Sequence, residues 1–355
     1  MGIHFSSDRM EEVSENHLRW WRGESDRPLI KLTIENRYPA GQSSAVPLSQ
    51  SNSLDFSVSP EEVVDALDAF LSRKEFLGDA FPMVNFAAFG PGVLAGFCGA
   101  KADDHTGSIW YFPQEEKEIC DIHAKYDPDC ALVKRIKAIY RAGLQKWNGS
   151  VIMGLPDLGG VMDVAASLRG SEKLLMDLYD DPEEVLRLKS EIETAWREAY
   201  EDLSAVLAPQ KFNTNWSGLL SDVPSYVCQC DFCYMIGNGM FRRFVLDTLK
   251  KDTEYLGNVI YHLDGKGELK HLNDILALNK LKAVQWVFGD GEKPAEEWMD
   301  VYRAIAQAGK RIWVCGTPDS FRKVYAQMHE PFYFTFGMDA ANEDEGRALL
   351  RALGR

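Results

Sequence analysis

The feature that most narrows the fold of this chain is an alternation of short apolar runs with helical stretches. The runs are Pro28–Ile34, Ser150–Leu155, Phe212–Trp216, Asn258–Leu263, Ala283–Phe288, Arg311–Cys315 and Phe332–Phe336, each bounded by Gly, Pro, Asp or Asn. Each reads as a short buried strand. The stretches between them carry helix signals. Ser59-Pro60-Glu61-Glu62 is a capping box with proline at the first helical position. Asp181-Pro182-Glu183-Glu184 repeats the device with aspartate as cap, and opens an amphipathic run through Val185, Leu188, Ile192, Trp196 and Tyr200. Thr317-Pro318 starts another helix, and a last one is expected at about Glu343–Leu353. Strands joined by helices need crossover connections and therefore pair in parallel. The runs found, with one more missed by pattern, predict an α/β protein: a closed (β/α)₈ TIM barrel. An open doubly wound sheet is the second architecture. Neither G-x-G-x-x-G nor G-x-x-x-x-G-K-[ST] follows a strand here, which weakens it. Residues 40–56 read as a polar, Ser-rich loop, and no linker separates independent units. The expectation is one domain over 1–355, with 1–27 as an N-terminal helical extension.

Charge and cysteine use bound the class. The formal net charge is -15, which disfavours a nucleic-acid backbone or an anionic membrane as partner. No apolar run reaches the roughly 18 residues of a membrane span. Seven cysteines, an odd number in a long chain, argue against a disulfide framework and for a reducing, cytoplasmic setting. A small-molecule substrate is the expected partner, and a homodimer stays open.

The strongest chemical signal is Val259-Ile260-Tyr261-His262-Leu263-Asp264-Gly265. On a strand, His262 and Asp264 point to the same side. The C-terminal ends of parallel strands are where such proteins bind ligands, so the pair offers a base, an acid or metal ligands. Its plainer reading is a histidine tied to a strand-end aspartate for packing. Cys228-Gln229-Cys230-Asp231-Phe232-Cys233 places three thiols in a C-x-C-x-x-C pattern, either a metal site or three small buried residues. Asp157 follows a strand end and faces the mouth in this reading, while Asp163 reads as the N-cap of a helix over Val164–Leu168. Trp110, Trp216, Tyr261, Trp286 and Phe288 gather near strand ends as walls of a ligand cavity or as ordinary core. Trp20 and Trp21 read as a cover for the bottom of the barrel or a partner surface. Cys315, before Gly316, reads as a small residue at a tight turn.

Several segments together resemble the uroporphyrinogen decarboxylase superfamily, which includes corrinoid and coenzyme M methyltransferases. They are Gly154-Leu155-Pro156, Ser167-Leu168-Arg169-Gly170, Leu178-Tyr179-Asp180-Asp181-Pro182-Glu183-Glu184-Val185, Met240-Phe241-Arg242-Arg243-Phe244-Val245-Leu246, Tyr261-His262-Leu263-Asp264-Gly265 and Gln285-Trp286-Val287-Phe288-Gly289. The resemblance implies a (β/α)₈ barrel with its site in the C-terminal mouth, into which the Asp231 loop brings a polar residue. It implies substrate contacts from the segment Arg27–Arg37, where Glu35 and Arg37 stand in place of an arginine-rich carboxylate grip. The C-terminal Gly-His-Gly of decarboxylases is matched by Gly337-Met338-Asp339, without histidine. The methyltransferase branch holds zinc through His-x-Cys and a distant cysteine. Here His262, Asp264 and Asp339 fall at or beside those places, so the implied metal is zinc or another divalent ion on a nitrogen and two carboxylates. The expected function is a methyltransferase or demethylase moving a methyl group between a small substrate and a corrinoid protein or thiol. Any corrinoid arrives on a partner protein, because this chain has no corrinoid-binding motif. A lyase acting on a carboxylic acid, and a non-catalytic corrinoid or small-molecule binding protein, are the other readings.

Overall fold

The computed structural model describes residues 2–39, 42–105 and 107–353. Ala40 and Gly41 of the Ser-rich loop lie outside the described residues, and the rest of that loop is turns and bends. The strands are β1 (Leu29–Glu35), β2 (Glu75–Gly78), β3 (Met83–Val84), β4 (Lys101–Asp103), β5 (Trp110–Phe112), β6 (Ile152–Met153), β7 (Ser225–Cys228), β8 (Asn258–Asp264), β9 (Ala283–Val287), β10 (Arg311–Val314) and β11 (Tyr333–Asp339). The main sheet runs β2-β1-β11-β10-β9-β8-β7, a second pair is β3-β6, and β4-β5 is a hairpin. From β1 through β11 to β7 every pairing is parallel, as is β3 with β6; β2 lies antiparallel on the edge.

The fold is therefore mixed α/β with a mostly parallel central sheet. Its ladders do not close into the expected eight-stranded ring. Six parallel strands form one arc and two form another, and no ladder joins the arcs among the described residues. The expected strand at Phe212–Trp216 makes only an isolated bridge, Asn213 with Ser221. Polar side chains there satisfy the backbone locally: Ser217 N–H donates to Asn215 Oδ1 at 3.0 Å, and Asn213 Nδ2 donates to the carbonyl oxygens of Ser221 at 3.0 Å and Val223 at 2.7 Å. Single bonds span the gap instead, such as Leu155 N–H to the Thr214 carbonyl at 3.0 Å.

The two faces of the main sheet differ. Val259, Tyr261 and Leu263 of β8 and Val284 and Trp286 of β9 join the large core shared with the helices. Ile260 and Ala283 face the other way, into a cluster with Leu29, Val227, Trp313, Tyr333, Trp20 and Trp21. That cluster plugs the N-terminal ends of the strands. The helix Ser7–Arg22 supplies its lid. Trp20 Nε1 donates to the Pro331 carbonyl at 2.7 Å and Trp21 Nε1 to the Leu220 carbonyl at 3.0 Å. Both rings are buried and so cover the bottom rather than form a partner surface.

The capping box at Ser59 is formed in full, and Thr317 caps its helix by accepting from Ser320 N–H. Asp181 sits at the N-cap of Pro182–Leu207 but makes no side-chain cap, contrary to the sequence reading. Among the described residues no helix is long and apolar enough to cross a membrane.

Candidate active site

The two-residue period of β8 puts His262 and Asp264 on the inner face at the C-terminal end of the strand. His262 Nε2 lies 3.9 Å from Asp264 Oδ2. Gly265, at φ 78°, then turns the chain away, and its N–H donates to the Val287 carbonyl at 2.8 Å. In the parallel register His262 stands beside Gln285 of β9. Gln285 Nε2 donates to Cys315 Sγ at 3.4 Å, so Gln285 Oε1 faces the histidine and accepts from Nδ1–H at 2.6 Å. This network assigns the tautomer. It leaves Nε2 with a lone pair aimed at the carboxylates, the arrangement that suits a metal ligand or a base.

Asp231 completes the group. One ligand atom each from Asp231, His262 and Asp264 lies within 4.8 Å of the others. Asp231 opens a short turn of helix, Asp231–Met235, after β7. Phe232 N–H donates to Asp163 Oδ1 at 2.7 Å, which ties that turn to the helix Val161–Arg169. Gly160 permits the approach, because a Cβ there would overlap the Gln229 carbonyl oxygen. Loss of water pushes the Asp231 carboxyl up; nearby His262 opposes this and the like charge of Asp264 adds to it. Asp157 lies close enough to feel both His262 and Asp231. Burial pushes its carboxyl up to about 6, against the Gly159 N–H that donates to it at 2.8 Å. Asp163 is pushed up to about 7 by burial and by Asp231, and its Oδ2 is buried without a hydrogen-bond partner among the described residues.

A cavity of about 360 Å³ opens beside this group, with Asp163 and Asp231 in its wall. Trp110 and Phe112 of the β4-β5 hairpin line it, with Phe232 and Met235 also in the wall. Trp216 stands under the histidine, its ring edge-on to the imidazole at 5.5 Å between centroids, and its indole N–H has no acceptor among the described residues.

Other expected site residues lie elsewhere. Tyr261 and Trp286 are on the opposite face of their strands from His262 and Gln285. Tyr261 OH donates to Glu268 Oε2 at 3.3 Å, and Trp286 packs edge-on against Trp298 at 5.3 Å. One residue of register parity separates wall from core. Glu35 is held by Lys74 at 3.0 Å, and Arg37 by Glu343 at 2.8 Å and Glu75 at 3.5 Å, so both belong to surface ion pairs. Asp339 is exposed at the end of β11, opposite Glu35, and does not join the metal-ligating groups among the described residues. Asp231 lies with His262 and Asp264 instead. The three clustered cysteines do not form such a group either. Cys228 lies against the helix Leu246–Tyr255, near Thr248 and Asp252, whereas Cys230 and Cys233 are buried beside Tyr261. The strand ends at Cys228, so its side-chain direction does not carry over to the other two. Asp163 is not an N-cap: Gly160 holds that position.

Gln285 and Asp163 escaped the sequence reading as site residues, and Glu268, on the core side with Tyr261, escaped it as a buried carboxyl. Gln285 had a signal, a lone amide on the apolar strand Ala283–Phe288. Glu268 had none, since its burial arises from tertiary packing. Burial first, then Cys233 and Asp231, push its carboxyl up to about 11.

The donor set fits a divalent cation: one oriented imidazole nitrogen and two carboxylates, with no thiolate.

No family model matches the chain, and no curated protein matches it. Among solved structures it is similar to a methyltransferase from Methanosarcina mazei, with TM-score 0.59 and 10% sequence identity over 92% of this chain and 93% of that one. At that identity the likeness is one of fold alone.

Proposed function

We propose that this protein is an enzyme that moves a methyl group from a small substrate to a nucleophile, a thiol or the corrinoid of a partner protein. The carrying observation is the histidine whose Nδ1–H is fixed by Gln285 at 2.6 Å, leaving Nε2 toward Asp264 and Asp231, of which Asp231 lines the neighbouring cavity. The fold shared with a methyltransferase supports it. In this reading the two parallel arcs belong to one distorted eight-stranded barrel.

With a thiol acceptor, His262 Nε2 takes the S–H proton, and Asp264 and Asp231 stabilise the imidazolium. The sulfur then attacks the methyl carbon. The bond from that carbon to its heteroatom breaks with the electron pair on the heteroatom, which receives the proton back. Alternatively, with the Nε2 lone pair given to a metal instead of a proton, Asp231, His262 and Asp264 would hold a divalent ion, which when bound supplies Lewis acidity. A decarboxylase acting on a polycarboxylate is disfavoured, because among the described residues no Lys, Arg or His lines the cavity.

The test is transfer of an isotopically labelled methyl group from a panel of methylated donors to a thiol or to reduced cobalamin, read by mass spectrometry. Wild type should transfer and His262→Ala should lose about 100-fold or more. Equal rates for the two proteins would overturn the assignment of His262, and absence of transfer from every donor would overturn the reaction. Turnover lost on chelation and restored by zinc or manganese would assign the carboxylate–histidine group to metal.

A further inference from the structure

We infer that the cavity beside Asp231 binds a methylated organic cation, a quaternary or tertiary ammonium, and rejects anions. Calling that cation the methyl donor rests on the reading above; its binding does not.

Charge gives the first argument. Among the described residues the cavity wall contains Asp163 and Asp231 and no Lys, Arg or His. Neither carboxylate is in an ion pair with a lysine or arginine among the described residues, and Asp163 Oδ2 is buried without a hydrogen-bond partner. With no ion held by Asp231, a sulfonate or carboxylate entering here would meet like charge in the cavity wall. A cation would supply the missing charge.

The aromatic wall gives the second. Trp110 and Phe112 are two residues apart on β5 and share its open side, while Tyr111 points inward and donates to the Phe89 carbonyl at 2.7 Å. That buried bond fixes which way the strand faces. Trp110 is left 51% exposed and Phe112 50% exposed. No lysine or arginine lies over either ring among the described residues. Two large bare rings and two carboxyls without a lysine or arginine partner among the described residues, around about 360 Å³, suit one class of ligand. A methylated ammonium has few or no N–H groups to hydrogen-bond. It is therefore recognised by aromatic faces and by diffuse negative charge. Phe232 and Met235 add soft apolar surface for its methyl groups.

Calorimetry on the full-length protein tests this with choline, its uncharged carbon isostere (a neopentyl-type alcohol) and a small thiol sulfonate. Choline should bind about tenfold or more tightly than the isostere, and the sulfonate not measurably. Trp110→Ala and Asp163→Asn should each weaken choline several-fold, with thermal unfolding as the check on folding. Trp110→Phe, which keeps a ring face, should retain most of the affinity. Equal binding of choline and the isostere, or preference for the sulfonate, would overturn the inference, as would choline affinity unchanged in both Trp110→Ala and Asp163→Asn. Selective choline binding without methyl transfer from choline or any other donor leaves the site standing and removes only the catalytic reading.

Discussion

The chain Cys315–Gln285–His262 is the most informative detail at the scale of residues. Each member does for the next what no local sequence feature can. Cys315 fixes the amide, the amide fixes the imidazole, and the imidazole presents Nε2 to the carboxylates. Gln285→Leu should leave the fold intact and, on the proposed function, lower methyl transfer by about 10–100-fold, the usual effect of removing such a supporting partner. Nitrogen NMR of the imidazole should show the Nδ1–H tautomer in wild type and a mixture in the variant. Glu268 makes a different prediction. Its carboxyl is pushed up to about 11 and is therefore protonated at neutral pH. Glu268→Gln mimics that state and should change stability by less than about 1 kcal/mol, whereas Glu268→Ala should cost about 2–3 kcal/mol in denaturant unfolding. Asp163 sets a pH dependence. Its folded value near 7 lies above the unfolded value of about 3.9, so on raising the pH the unfolded chain loses this proton first. This group's contribution to stability therefore falls between about pH 4 and about pH 7 and is flat beyond. Asp163→Asn should flatten that part of the stability–pH curve, as urea midpoints across the window would record.

At the scale of elements, strand parity and strand ends decide what reaches the site. His262 and Asp264 were legible as a pair because period two is a property of any strand. Tyr261 and Trp286 were misplaced for the same reason: their parity places them with the helices, and aromatic character alone does not say which face they take. Gly265 shows how an end is enforced. At φ 78° and ψ 159° it occupies a region nearly closed to other residues, and a Cβ there would sit 3.0 Å from the Tyr234 ring. Gly265→Ala should cost about 1–3 kcal/mol in unfolding experiments and lower methyl transfer by displacing Asp264. Capping was readable where side chain and spacing coincide, as at Ser59, and misleading at Asp181, where the spacing is present and the side-chain bond is not.

For the whole molecule, the plug at the N-terminal ends of the strands and the site at the C-terminal ends are two ends of one inner face. The helix Ser7–Arg22 is integral to it: Trp20 is fully buried against Trp21 and Tyr333. Trp20→Ala should cost about 3–5 kcal/mol, seen as an earlier midpoint in denaturant, although the residue is far along the chain from the site. The sequence by itself determined the parallel α/β arrangement, because apolar runs separated by helices leave parallel pairing as the economical solution. It also determined that His262 and Asp264 share a face, because alternation is local geometry. Only the tertiary structure decided that Asp231 rather than Asp339 joins them, that Gln285 orients the imidazole, and that the ladders stop short of a ring. Those outcomes depend on where loops from distant parts of the chain come to rest, and loop position is set by packing and burial rather than by any periodicity in the residues themselves.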